Sequence, residues 1–132
     1  MTRLWFDRRA RLACALIWGL AWLVVAALML MPLSVPAPPG SDLLVHFLVF
    51  GTMAFAAVSF SRHPGRLAGF AVMTVALGAG LEYAQGFVPY RSPAIADAVA
   101  DGAGGLVGYA LALLVLYFVI RPAEPRFRAA AS

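Results

Sequence analysis

The stretch "LACALIWGLAWLVVAALMLM", Leu12–Met31, decides the class of fold, because its 20 residues carry no charge. A bilayer core about 30 Å thick is crossed by a helix of roughly 20 apolar residues. Three further stretches match that requirement. "LLVHFLVFGTMAFAAVSF" (Leu43–Phe60) holds one His near its start, and "RLAGFAVMTVALGAGLEYAQGF" (Arg66–Phe87) holds Glu82 near its end. "GAGGLVGYALALLVLYFVI" (Gly102–Ile120) is again uncharged. None alternates with the two-residue period of a strand, and each exceeds the length of an ordinary buried strand. The reading is an all-α membrane protein forming one domain over 1–132, with transmembrane helices at about 12–31, 43–60, 66–87 and 97–120.

Composition agrees. The 132 residues are 63% hydrophobic and only 12% charged, with a mean hydropathy of +0.87. A soluble domain carries about 25% charged residues, so a water-exposed globule is excluded. The net charge of +4 does not point to nucleic acid, because the arginines border apolar runs and build no basic face. One cysteine, Cys14, leaves no internal disulfide. The first apolar run follows the basic start "MTRLWFDRRARL" but is longer than a signal-peptide core and lacks a clean small-x-small site, so it is read as an uncleaved helix. Proline-rich "PLSVPAPPGS", the polar turn "SRHPG" and "VPYRSP" separate the spans.

Orientation follows from arginine placement. With four spans, Arg3, Arg8, Arg9, Arg11, Arg62, Arg66, Arg121, Arg126 and Arg128 share one side, and Arg91 alone falls on the other. Positive residues favour the cytoplasmic side, so both termini are expected inside, with the loops near Asp42 and Arg91 outside. Trp5, Tyr83 and Tyr90 suit the interfacial belts, while Trp18 and Trp22 are expected against lipid or a neighbouring helix.

The polar residues then converge in depth. At 1.5 Å per residue, His46 and Glu82 each lie about 24 Å above the inner boundary, and Asp101 about 30 Å. Asp97 is about 6 Å higher. Asp42 and His46 are spaced i, i+4, as are Asp97 and Asp101, and Glu82 and Gln85 are spaced i, i+3. Three helices thus offer polar pairs at one level. Ionisable residues in a span are functional candidates by default, facing a partner or a wet cavity. Asp42 is placed to orient His46. Gly104 and Gly108 form a GxxxG pair, from which helix four is expected to pack tightly on helix three.

The order Asp42-x-x-x-His46, Glu82-x-x-Gln85, Pro89 and Arg91, then Asp97-x-x-x-Asp101 with Gly104 and Gly108 resembles the VanZ-like family. The resemblance covers about half the chain, and the ordered set carries it. Two positions depart: family members often have Lys where Leu43 stands, and usually Asn where Asp101 adds a potential negative charge. The founding member is associated with bacterial resistance to the glycopeptide teicoplanin. The resemblance therefore implies a bacterial inner-membrane protein linked to the cell envelope, without supplying a reaction.

Three functions fit these residues. A binding protein would hold an outer-leaflet envelope lipid or cell-wall precursor headgroup through Asp42, Gln85, Arg91, Asp97 and Asp101, with Arg91 suited to an anionic group. An enzyme acting on an outer-leaflet lipid would use His46 and Glu82 as its proton-handling pair. A small proton-coupled transporter would use Glu82, although transport sites usually lie near the midplane. No HExxH, phosphate-cradling glycine loop or serine elbow is present. The spacing matches no dedicated metal motif, so no metal ligand and no cofactor is assigned, although hard oxygen ligands suit a divalent cation. Membrane lipids are the expected partners.

Overall fold

The computed structural model of the chain describes residues 7–31, 38, 40–89 and 94–123. Four helices run in order: α1 (Arg8–Leu30), α2 (Ser41–Ala56), α3 (Pro64–Gln85) and α4 (Ile95–Val115). A 3₁₀ turn, Ala57–Ser59, prolongs α2, and a π turn, Leu116–Ile120, prolongs α4. No strand occurs among the described residues. All four helices are long and apolar enough to cross a membrane.

The helices begin a few residues earlier than the apolar runs, because local polar chemistry sets their ends. Asp7 caps α1, its side chain accepting a hydrogen bond from the Arg9 amide at 2.9 Å. Gly40 enters α2 at φ +81°, a left-handed conformation that glycine adopts without a Cβ penalty. Pro64 occupies the first turn of α3, where its missing N–H costs no helical bond.

Residue pairs in contact show α2 and α4 running parallel, with α3 antiparallel beside them. The α2–α4 contact is the most extensive in the bundle. Its cause is glycine. A Cβ on Gly104 would fall on the carbonyl oxygen of Phe47, and one on Gly108 on that of Gly51. A Cβ on Gly51 would lie 3.1 Å from the Gly104 oxygen. The two backbones therefore touch directly. This corrects the expectation that Gly104 and Gly108 pack helix four on helix three: they face α2, and it is Gly105 that meets α3, at Val75.

α1 lies at the edge and buries only Trp22. Trp18 Nε1 donates to the Met53 carbonyl at 2.8 Å, and the ring packs edge-on against Trp22, Phe60 and Phe70. Trp22 packs edge-on against Phe50. Both tryptophans thus face neighbouring helices. The rest of α1 presents Leu12, Leu16, Ile17, Leu20, Leu23 and Val24 outward. A contiguous apolar exterior of this kind suits lipid, which also demands that backbone groups be paired within helices. Ala57, Val58, Leu67, Ala112, Leu116 and Ile120 fill the core at the end where α2 finishes, and Trp22, Phe50 and Met53 form a second cluster. Above Phe50 the interior turns polar.

Candidate functional site

His46 comes from the second turn of α2, Glu82 from the last turns of α3, and Asp97 and Asp101 from the first two turns of α4. Parallel α2 and α4, joined at their glycines, bring His46 and Asp101 to the same height. His46 Nδ1 lies 2.9 Å from Asp101 Oδ1. Glu82 Oε1 stands 4.0 Å from the same nitrogen. On the other edge of the ring, Nε2 faces Asp97 Oδ2 at 3.9 Å. His46, Glu82 and Asp101 are 8%, 7% and 1% exposed. One imidazole is thus surrounded by three carboxylates inside an apolar bundle.

The supporting geometry is specific. Gly78 of α3 leaves the space that Asp101 and Phe50 occupy: a Cβ there would lie 2.7 Å from Asp101 Oδ2 and 2.6 Å from the Phe50 ring. The His46 ring lies parallel to that of Phe50, centroids 6.3 Å apart. Glu82 Oε2 accepts from the amide of Ala94, the N-cap residue of α4, at 3.2 Å. A carboxylate at that position also complements the helix dipole. Two oxygens are left over. Glu82 Oε1 and Asp101 Oδ2 are buried with no hydrogen-bond partner among the described residues.

The other sequence-derived candidates divide. Asp42 is exposed on the first turn of α2 and shares a groove of about 280 Å³ with His46 and Asp97, whose apolar wall is Val25, Leu28, Met29, Val45 and Val49. Among the described residues it makes no hydrogen bond to His46; the bond to Nδ1 comes from Asp101 on the parallel neighbour helix. Gln85 is buried but turns to α1, where Nε2 donates to the carbonyl of Met29 at 3.1 Å in the last turn. Arg91, like Trp5 and Tyr90, lies outside the described residues. Sequence reasoning gave no role to Phe50 or to the Ala94 amide. Nor did it mark Gly78 as the recess for a carboxylate.

A helical bundle with a lipid-compatible exterior and an ionisable cluster at one end defines a small multi-span membrane protein with a buried polar site. The VanZ/LLP1 family matches residues 28–117, and the chain belongs to that family. The matched segment contains every residue of the cluster. No curated protein and no solved structure matches the chain.

Proposed function

We propose that this VanZ-type membrane protein holds the headgroup of an envelope lipid or lipid-linked cell-wall precursor at the His46 cluster. The observation that carries the reading is the groove beside α1. Its polar end is Asp42, His46 and Asp97, and its wall is aliphatic. That is the order of chemistry along a lipid entering from the bilayer, headgroup first and chain against Val45 and Val49. Nine of ten arginines on one side support cytoplasmic termini and an outward-facing site in the bacterial inner membrane. Arg91, in the α3–α4 connection, is the residue assigned to an anionic headgroup. The founding member's association with teicoplanin resistance extends the reading to glycopeptide tolerance.

The test is mass spectrometry of lipids that copurify in native membrane patches with wild type, His46→Ala and Arg91→Ala. Selective loss of one phosphate-bearing lipid in the variants is expected. Identical lipid profiles in all three would remove the headgroup reading.

The His46–Asp101 pair favours one second reading. A carboxylate on Nδ1 fixes the tautomer and leaves Nε2 to exchange protons with a substrate, which is the arrangement of a general base. Chemical change of an outer-leaflet lipid on adding purified protein, stopped by His46→Ala, distinguishes turnover from binding.

A further inference from the structure

We propose that His46, Glu82 and Asp101 bind a divalent transition-metal ion, of the Zn²⁺ or Mn²⁺ kind, between α2, α3 and α4. The inference deepens the headgroup reading and rests on it only for the ion's outer ligand. One donor atom from each of the three side chains lies within 4.8 Å of the others. At bond lengths of about 2.0–2.2 Å, donors sharing one ion stand roughly 3–4 Å apart. Glu82 Oε1, at 4.0 Å from Nδ1, stands at the upper end of that spacing. His46 Nδ1 and Asp101 Oδ1, at 2.9 Å, are at hydrogen-bond distance and would part slightly to share an ion.

Two independent features point to a ligand in this space. The first is the pair of buried oxygens without partners among the described residues, Glu82 Oε1 and Asp101 Oδ2, on side chains more than nine-tenths buried. An acceptor left bare in an apolar interior costs about 1–3 kcal/mol, more when charged, and a cation beside His46 would relieve Glu82 Oε1, which stands 4.0 Å from the ring nitrogen. The second is the outer carboxylate. Asp97 faces Nε2 of the same ring at 3.9 Å. A metal-bound imidazole donates its other N–H to a carboxylate, which fixes the tautomer and strengthens the ligating nitrogen; Asp97 would make that bond by closing from 3.9 Å.

Charge gives the same answer. Among the described residues, His46 is the basic group within ion-pair reach of these carboxylates. Imidazolium beside three carboxylates leaves a net charge of −2 in low dielectric. Neutral His46 with the same three carboxylates and a divalent ion leaves −1, carried by Asp97 at the edge of the site. One imidazole and two carboxylates match a transition ion better than Ca²⁺, which takes six to eight oxygens. Three protein ligands leave a coordination position open. A lipid phosphate oxygen would fill it, which explains how so acidic a site accepts an anionic headgroup. The sequence concealed the set because its members lie on three helices, with no local spacing between them.

The experiment uses full-length protein in detergent, stripped with chelator and titrated separately with Zn²⁺ and Mn²⁺. One ion per chain by elemental analysis after gel filtration is expected, with a rise in unfolding temperature. X-ray absorption should show nitrogen and oxygen ligands and no sulfur. Glu82→Gln and Asp101→Asn should each weaken binding at least tenfold. Glu82→Gln keeps the side-chain size, so it stands as the test if Asp101→Asn fails to fold. Absence of stoichiometric ion, or equal binding in both variants (an adventitious ion only), overturns the proposal. Copurified lipid is measured in parallel with and without chelator. Lipid retained with no ion upholds the headgroup reading and overturns the metal. A stoichiometric ion with no bound lipid upholds the metal and overturns the headgroup reading.

Discussion

Gly104→Ala is expected to separate α2 from α4, and the size of the effect can be worked from the backbone. The new methyl would land on the carbonyl oxygen of Phe47, with the carbonyl carbon at 3.0 Å and the Gly51 nitrogen at 3.1 Å. All three are main-chain atoms of a helix, so no rotamer change relieves them. Carbon contacts are comfortable at about 3.5–4.0 Å, so the helices must part by roughly an ångström. Overpacking of this kind costs about 1–3 kcal/mol, and rigid backbone on both sides places Gly104 at the upper end. Alanine regains up to about 1 kcal/mol of helix propensity. Gly102→Ala supplies the control, because nothing lies within 4 Å of its Cβ while its propensity gain is the same. The difference between the two variants isolates the clash at about 3 kcal/mol, or roughly 150-fold in the folding equilibrium. Titration from mild detergent into SDS, followed by tryptophan fluorescence, measures it, since Trp18 and Trp22 pack against neighbouring helices. Equal midpoints for Gly104→Ala and Gly102→Ala would refute the direct α2–α4 backbone contact.

Other expectations are smaller or qualitative. Trp18→Phe removes the bond to the Met53 carbonyl and should cost about 0.5–1.5 kcal/mol in the same titration; no change would mean that α1 is held by ring packing alone. Thr74 is fully buried and its hydroxyl has no partner among the described residues, so Thr74→Val should leave stability unchanged or raise it by about 1 kcal/mol. A loss of stability would show that the hydroxyl is bonded. Gly78→Ala should push Asp101 and Phe50 aside and lower both ion binding and stability, whereas Gly69→Ala, with no neighbour within 4 Å, should leave ion binding unchanged and raise stability by up to about 1 kcal/mol. Cysteines at Pro38 and Ser92 should react with a membrane-impermeant maleimide from outside the cell, and one at Gly65 only after lysis. The opposite pattern would invert the topology.

The four spans were legible because the membrane requirement is a matter of length and polarity, which sequence states directly. The level shared by His46, Glu82, Asp97 and Asp101 was legible for a related reason, since helical rise converts residue number into height. What height does not give is azimuth. Asp42 looked like the partner of His46 because an i, i+4 rule operates within one helix; the partner came from α4, across an interface. Gly104 and Gly108 announced a close approach without naming the other side. The matching small residue, Gly51, lies in α2 without a GxxxG spacing of its own. Gln85 shared the level of the cluster, yet α1 ends beside it with a free carbonyl at Met29, and that contact turned it away.

The glycine seam has a mechanical consequence. Two helices in main-chain contact have no compressible side chains between them, so the His46–Asp101 edge of the site keeps its spacing while the bundle breathes. Yielding is left to the elements joined by rings and single bonds, α1 above all. An occupant of the proposed site would therefore arrive from the α1 flank, between one wall that can yield and one that is fixed.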